Sequence, residues 1–158
     1  MLTIAGVAGL PEIEPGADLA ALVVEHGDIH SGDVVVVTSK IVSKAEGRTV
    51  ELADVEPSAF AQRWSADWDD KDPRVVEVVL RESRRIVRQI GPVLITETHH
   101  GFVCANAGVD QSSSGAHDRV VVLPEDPDAS ARRIRSGFAS AGADVAVIVS
   151  DTFGRPWR

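Results

Sequence analysis

The chain has 158 residues, of which 44% are hydrophobic, and this is enough for one compact domain with its own core. Its 16 Lys and Arg residues against 24 Asp and Glu give a formal net charge of −8, which disfavours nucleic acid and anionic membranes as partners. The single cysteine, Cys104, excludes an internal disulfide and a zinc site built from cysteines. No signal-peptide pattern or long apolar run is present, so the sequence predicts a cytoplasmic protein without a membrane span.

The first third of the chain predicts a short strand, a loop, a helix and a second strand. Residues 2–4 favour a strand, and the prolines and glycines that follow favour a loop. Asp18 predicts the N-cap of a helix that runs to about His26. The inner face of this helix would carry Leu19, Leu22 and Val23. Residues 33–39, DVVVVTS, are a continuous β-branched run typical of a strand buried on both faces.

The remaining elements alternate between helices and strands. Residues 57–83 predict two helices separated at residues 71–73, where proline interrupts the pattern. Three strand-like runs follow, at residues 84–90, 93–98 and 101–107. Another strand is predicted at residues 119–123, then a helix with Asp128 as its N-cap, then a last buried strand at residues 144–151. The sequence therefore predicts an α+β fold in which a mixed sheet packs against helices.

Two of the three lysines stand close together in SKIVSK, residues 39–44. If a helix begins where the preceding strand ends, Lys40 and Lys44 lie one turn apart on one face. Two cations beside the end of an apolar strand could bind an anion. Two solvated lysines on a surface turn explain the same spacing equally well.

Two carboxylates also follow strand-like runs. Asp151 and Thr152 offer hard oxygen ligands suited to Mg²⁺ or Mn²⁺, although a helix N-cap is an equal alternative. Asp110 precedes a Ser- and Gly-rich loop that can approach phosphate, and an ordinary Asx-turn explains it as well. Arg155 is a candidate phosphate clamp or a plain turn residue. Taken together, two acids and two lysines are the ingredients of metal-assisted phosphoryl transfer.

Five long motifs occur in order: GLPEIEPGADL, VVVVTSKIVSKAEGR, ETHHGFVCANAGVDQSS, LPEDPDASARRIR and VIVSDTFGRPWR. This combination resembles the coenzyme F420-0:L-glutamate ligase family (CofE), including the form found as the N-terminal half of the actinobacterial two-domain protein FbiB. The resemblance covers essentially the whole chain. Because domains of the family are longer, residues 1–158 are expected to be the N-terminal portion of a single ligase domain, incomplete at the C-terminus.

The resemblance implies a CofE-like ligase fold, a homodimer, and GTP-dependent addition of L-glutamate to F420-0, followed by further γ-linked glutamates. The GTP γ-phosphoryl group would pass to the acceptor carboxylate, and the glutamate amine would attack the acyl phosphate. Mg²⁺ or Mn²⁺ is implied as cofactor, with K⁺ as a further candidate. Two alternatives stay open: a non-catalytic fragment that binds nucleotide or F420-0, and a metal-dependent phosphohydrolase built on Asp110 and Asp151.

The resemblance also implies roles for individual residues. Asp110 and Asp151 match catalytic metal ligands, together with Thr152. The positions that match nucleotide contacts are Leu10, Pro11, Glu12, Ile13, Ser39, Lys40, Lys44 and Ser113. The family usually has Asn at the position of Ser113, so the shorter side chain is expected to weaken or re-route that contact. The remaining pocket candidates are His99, His100 and Arg155.

Overall fold

The structure is a computed structural model that describes residues 2–69, 71–111 and 118–152. Its helices are α1 Leu19–His26, α2 Ser39–Ala45, α3 Ala59–Ser65, α4 Pro73–Arg81 and α5 Pro127–Ser140. Its strands are β1 Val34–Thr38, β2 Thr49–Glu51, β3 Ser83–Ile90, β4 Val93–Thr98, β5 Val103–Ala105, β6 Arg119–Val121 and β7 Ala146–Ser150. Short 3₁₀ turns lie at Leu52–Asp54 and Asn106–Gly108. The predicted α+β fold is confirmed.

The chain divides into two compact units. The first unit comprises Met1–Gly47 and Pro124–Asp151, and the second comprises Arg48–Leu123 and Thr152–Arg158. The first unit is therefore built from two stretches of chain that are far apart in sequence. The second unit lies almost wholly between them in the sequence.

The first unit is organised by the parallel pairing of β1 with β7, in register from Val34 opposite Ala146 to Thr38 opposite Ser150. Helices α1, α2 and α5, with Ile13 and Val145 outside any helix or strand, supply the rest of its core. The buried members of this core are Ile13, Leu19, Ala20, Val23, Val37, Val42, Ile134, Phe138 and Val145. Helices α1 and α5 approach closely at Gly137, where an added Cβ atom would stand 2.6 Å from the Cβ of Ala20. Glycine at this position therefore permits the contact between the two helices.

Both long helices of the first unit begin at an aspartate cap. The Asp18 carboxylate accepts a hydrogen bond from the Ala21 N–H, which confirms the predicted start of α1. For α5 the predicted N-cap, Asp128, is wrong. The cap is Asp126, whose Oδ1 accepts from the Ala129 N–H at 2.8 Å, and Pro127 follows at the first helical position. Proline suits that position because its fixed φ is helical and its missing N–H would have no partner there.

Two predictions about strands in the first unit are wrong. Residues 2–4 form no strand, and the structure describes them as fully irregular and exposed. Strands β1 and β7 are not buried on both faces: Val36 and Ile148 are 61% and 50% exposed. The helices of the unit cover one face of this two-stranded sheet, and a run of β-branched residues does not reveal how many faces are covered.

The second unit contains two antiparallel sheets. Strands β3, β4 and β5 pair in chain order, and β2 pairs with β6. Helices α3 and α4 are capped by Ser58 and Asp72, and their presence confirms the two predicted helices. Trp64, Val76 and Leu94 belong to one of the apolar clusters described in this unit. The strand predicted to reach residue 107 ends at Ala105. Strand β2 was not predicted, because its three residues are too short to show a pattern.

No helix in the described ranges is long and apolar enough to cross a membrane.

The cap of α4 makes the stability of the second unit depend on pH. The Asp72 Oδ1 accepts from the Arg74 N–H at 2.8 Å, and its Oδ2 lies 2.6 Å from Arg74 Nη2. The hydrogen bond from the Arg74 side chain lowers the pKa of Asp72 below its ordinary value. A lowered pKa in the folded state stabilises the fold above the unfolded value of about 4, and this contribution is lost as the pH falls through the folded pKa.

We therefore expect Asp72→Ala to lower the free energy of unfolding by about 1 kcal/mol at pH 7, the usual size of a lost cap. The difference from the parent chain should shrink as the pH falls below the folded pKa of Asp72. Urea unfolding at a series of pH values measures it. Asp67→Asn, at an exposed position in the same unit, serves as the control. A difference that stays constant from neutral to strongly acidic pH would contradict the prediction.

Candidate functional site

The lysine pair lies at the junction of β1 and α2. Strand β1 ends at Thr38, and α2 begins at the next residue, Ser39, so Lys40 and Lys44 lie one helical turn apart. This confirms the predicted geometry of SKIVSK. The Ser39 side chain is buried, while Lys40 is partly exposed. The segment therefore presents two cations beside the carboxyl end of a parallel strand.

A loop from the N-terminal region lies along α2. The Lys44 Nζ donates a hydrogen bond to Glu12 Oε1, and Ile13 is buried in the same core as Val42 of α2. The Gly16 N–H also donates to the carbonyl of Ala45 at 2.7 Å. Glu12 and Ile13, both predicted to contact nucleotide, thus contact Lys44 and the core beneath α2 respectively. No sequence pattern predicts the Glu12–Lys44 ion pair, because its partners are 32 residues apart.

Asp151 stands at the same end of the first unit as α2. The parallel register ends with Thr38 opposite Ser150, so Ser39 and Asp151 are the next residues of two adjacent strands. Asp151 is exposed, and Thr152 follows it in the chain. Ligands of α/β sheets bind outside the carboxyl ends of parallel strands. The register therefore puts Asp151 and the start of α2 at the same end of the paired strands, and the role of Asp151 as a ligand stays a prediction.

Asp110 belongs to the second unit and is held by its backbone. It forms a bridge with Val121 of β6: the Asp110 N–H donates to the Val121 carbonyl at 2.9 Å, and the Val121 N–H donates back at 2.8 Å. Three residues with positive φ, Asn106–Gly108, precede it. Asp110 and Asp151 thus belong to different units.

The structure describes only some of the other residues that were predicted to line a pocket or contact nucleotide. His99 and His100 lie in the turn between β4 and β5. The His99 Nε2 is 2.9 Å from the Arg81 carbonyl oxygen, and the His100 ring stacks on Phe102 with centroids 6.0 Å apart. Their role in a pocket stays a prediction. Ser113 and Arg155 lie outside the described residues.

The side chains of the two acids, each in its own unit, offer oxygens whose chemistry suits a magnesium or manganese ion. Asp110, Asp151 and Thr152 supply carboxylate and hydroxyl oxygens, which are the donors that these ions prefer. Among the described residues, no three His, Cys, Asp or Glu side chains are grouped closely enough to hold a metal alone. Mg²⁺ typically binds through one or two carboxylates and keeps its waters and substrate phosphates as further ligands.

Sequence reasoning missed a polar cluster in the first unit. A cavity of about 220 Å³ is bounded by the start of α1, the end of α2 and α5. At its wall, Glu46 accepts hydrogen bonds from Ser130 and Arg133 of α5. The Ser130 hydroxyl also donates to the Asp126 carbonyl. The cluster ties α2 to α5 across 84 residues of sequence, and no local pattern could have revealed it.

Comparison with known proteins decides the family. A family model described as F420-0:Gamma-glutamyl ligase matches residues 8–158. The chain belongs to this family. It is 50% identical over 149 residues to the coenzyme F420:L-glutamate ligase of Methanopyrus kandleri, which covers 93% of the chain and 58% of that relative. This confirms the resemblance inferred from the five motifs.

Two further members of the ligase family agree. The coenzyme F420:L-glutamate ligase of Halobacterium salinarum is 47% identical, and the match covers 96% of the chain and 60% of that relative. The protein of the same name from Methanothermobacter thermautotrophicus is 43% identical, with coverage of 99% and 64%. The chain thus spans between 58% and 64% of the length of these three relatives.

The Glu12–Lys44 ion pair can be tested without any ligand. The Lys44 side chain is 20% exposed and that of Glu12 is 72% exposed, so water screens the pair and its coupling should be about 0.5 kcal/mol. A double-mutant cycle of Glu12→Ala and Lys44→Ala, followed by urea unfolding at low and high salt, measures the coupling. A cycle with Glu14→Ala, two residues away at an exposed position, should give none. Equal coupling in both cycles would contradict the pairing.

Proposed function

We propose that this chain carries the nucleotide-binding part of a GTP-dependent ligase that adds L-glutamate, and then further γ-linked glutamates, to coenzyme F420-0. One structural observation carries the proposal. The parallel pairing of β1 and β7 puts the Ser39 to Lys44 segment and Asp151 at one end of the first unit. We infer the substrates F420-0 and L-glutamate from the family description and from the names of the relatives.

The lysine pair would bind the phosphates of GTP. A triphosphate is repelled by a chain with a net charge of −8 unless positive charge is concentrated locally. Lys40 and Lys44 provide that concentration on one face of α2. Glu12 contacts Lys44 in the structure, so a phosphate that binds Lys44 would have to displace or share this carboxylate. Residues 10–13 therefore lie where they can respond to the nucleotide.

The reaction must convert a carboxylate into an electrophile. Transfer of the γ-phosphoryl group to a carboxylate oxygen of F420-0 releases GDP and gives an acyl phosphate, whose phosphate is a good leaving group. The amine of L-glutamate then attacks the acyl carbon through its lone pair. The new C–N bond forms, the C–O bond to phosphate breaks, and the amine loses a proton. The product is an amide, and inorganic phosphate leaves.

Asp151, Thr152 and Asp110 would hold Mg²⁺ or Mn²⁺ through their oxygens. When bound there, the ion would neutralise negative charge that develops on the phosphoryl group during transfer. We also propose K⁺ as a further ion. We propose a homodimer as the assembly, and sedimentation of the chain tests it.

Turnover separates this proposal from its alternatives. Phosphate release from GTP that requires both F420-0 and L-glutamate supports the ligase. Binding of GTP without turnover supports a non-catalytic fragment, and hydrolysis of phosphate esters without glutamate supports a phosphohydrolase. Because the chain spans only part of its relatives, the assay should also include a chain extended to their full length.

The first prediction concerns the metal. We expect Mn²⁺ to strengthen GTP binding to this chain. Asp151→Asn should remove most of that gain, because a neutral amide is a poor metal ligand. The GTP affinity measured with Mn²⁺ should therefore fall by about tenfold or more. Calorimetric titration of GTP with and without Mn²⁺ measures it. Asp144→Asn is the matched control, since Asp144 precedes β7 at its other end and pairs with Arg135. Equal Mn²⁺ dependence in both variants would remove Asp151 from the metal site.

The second prediction concerns the nucleotide. Lys40→Ala should weaken GTP binding by about tenfold, the value of one charge-assisted contact to phosphate, while the thermal midpoint of unfolding stays unchanged. Lys71→Ala, which alters the one lysine outside SKIVSK, should leave GTP affinity as it is. If the two variants bind GTP equally well, Lys40 does not contact the nucleotide.

A further inference from the structure

The segment before Asp110 has an unusual backbone. Asn106, Ala107 and Gly108 have φ values of 50°, 51° and 72°, so three consecutive residues are left-handed. This conformation is unfavourable for every residue other than glycine, because the Cβ atom comes too close to the backbone. Ala107 is nevertheless 1% exposed, in the same core as Trp64 and Leu94. A strained turn of this kind persists only where the surrounding structure holds it.

The side chain of Asn106 holds one end of the turn. The last pair between β4 and β5 is Ile95 with Ala105, so the next pair would join Leu94 with Asn106. The chain turns away at this point, and the Asn106 Oδ1 accepts from the Leu94 N–H at 3.2 Å. A side-chain oxygen thus takes the place that a backbone carbonyl would have in a longer strand. Leu94 is 2% exposed, so its N–H needs such a partner.

The other end of the turn is held by Asp110. The Val109 N–H donates to the Asn106 carbonyl at 2.9 Å, and Asp110 then makes two backbone hydrogen bonds with Val121. Gly108 could not be replaced easily, because an added Cβ atom would stand 3.1 Å from three carbon atoms of Leu123. The turn therefore links β4 to β6 by a short segment with little freedom.

We propose that Asn106 is a positioning residue, whose side chain fixes the left-handed turn and thereby the register at which Asp110 meets β6. Asparagine suits the task for two separate reasons: it tolerates the left-handed region better than most residues, and it provides the acceptor for Leu94. The consequence for metal binding rests on the proposed role of Asp110 as a ligand. The effect on the Asp110 backbone does not depend on that role.

Three substitutions separate the two properties of Asn106. Asn106→Asp keeps both the acceptor and the tolerance of positive φ, Asn106→Gly keeps only the conformational freedom, and Asn106→Ala loses both. The first readout is hydrogen exchange of the Asp110 and Val121 amides, each of which donates to the carbonyl of the other residue. We expect protection to fall at least tenfold in Asn106→Ala, less in Asn106→Gly, and little in Asn106→Asp.

Two controls show whether the effect is local. The amide of Ala146 bonds to the Asp33 carbonyl in the first unit, and its protection should not change. Ala61→Gly removes a buried methyl group from α3 in the second unit and serves as a general destabilisation. If Asn106→Ala keeps the parent protection, or if Ala61→Gly lowers protection at Asp110 and Val121 equally at matched stability, the inference is overturned.

Mn²⁺ affinity is the second readout, measured at a temperature where all variants are folded. In the presence of GTP, Asn106→Ala should bind Mn²⁺ about tenfold more weakly than the parent, and Asn106→Asp should restore the affinity. Unchanged Mn²⁺ affinity in a variant whose Asp110 amide has lost protection would overturn the link to the metal site. If the parent chain binds no Mn²⁺ with GTP, the proposed function fails, and the exchange pattern alone then supports or overturns the positioning role of Asn106.

Discussion

The parallel pairing of β1 with β7 is the interaction on which the first unit depends. It joins residues more than a hundred positions apart, so its formation requires closure of a long loop before any pairing energy is gained. Helices α1 and α5 contact each other, and α2 and α5 contact the two paired strands, as parts of one unit. The same pairing brings Ser39 and Asp151 to one end of the sheet. Fold and candidate site in this unit therefore have a common origin.

The candidate ligands are held by three different physical means. Asp151 is placed by strand pairing, and Lys40 and Lys44 by the helical repeat of α2. Asp110 is placed by a short turn that adopts an unfavourable backbone conformation and is tied to its neighbours by hydrogen bonds. Strain at such a place is consistent with function, because a relaxed loop would leave the carboxylate without a defined direction.

Errors in the sequence-based prediction have identifiable causes. Strands β1 and β7 contain long β-branched runs, and such runs are typical of two-sided burial, yet Val36 and Ile148 are exposed because nothing in the described part of the chain covers that face. The cap of α5 was assigned to the wrong acid because Asp126 and Asp128 flank the same proline. A cap requires an extended backbone conformation at one particular residue, and composition alone does not specify which one.

The sequence by itself determined the local features: the aspartate cap of α1, the start of α4 at its proline, the spacing of Lys40 and Lys44, and, through its motifs, the family. These depend on residues within a few positions of one another, where helical periodicity and backbone preferences are sufficient. Only the tertiary structure decided that Glu12 pairs with Lys44 and that the backbone before Asp110 is left-handed. It also decided that β1, which precedes Ser39, pairs with β7, which precedes Asp151. Each of these arises from contacts between distant segments, whose energies outweigh local preference and are not encoded in any short stretch of sequence.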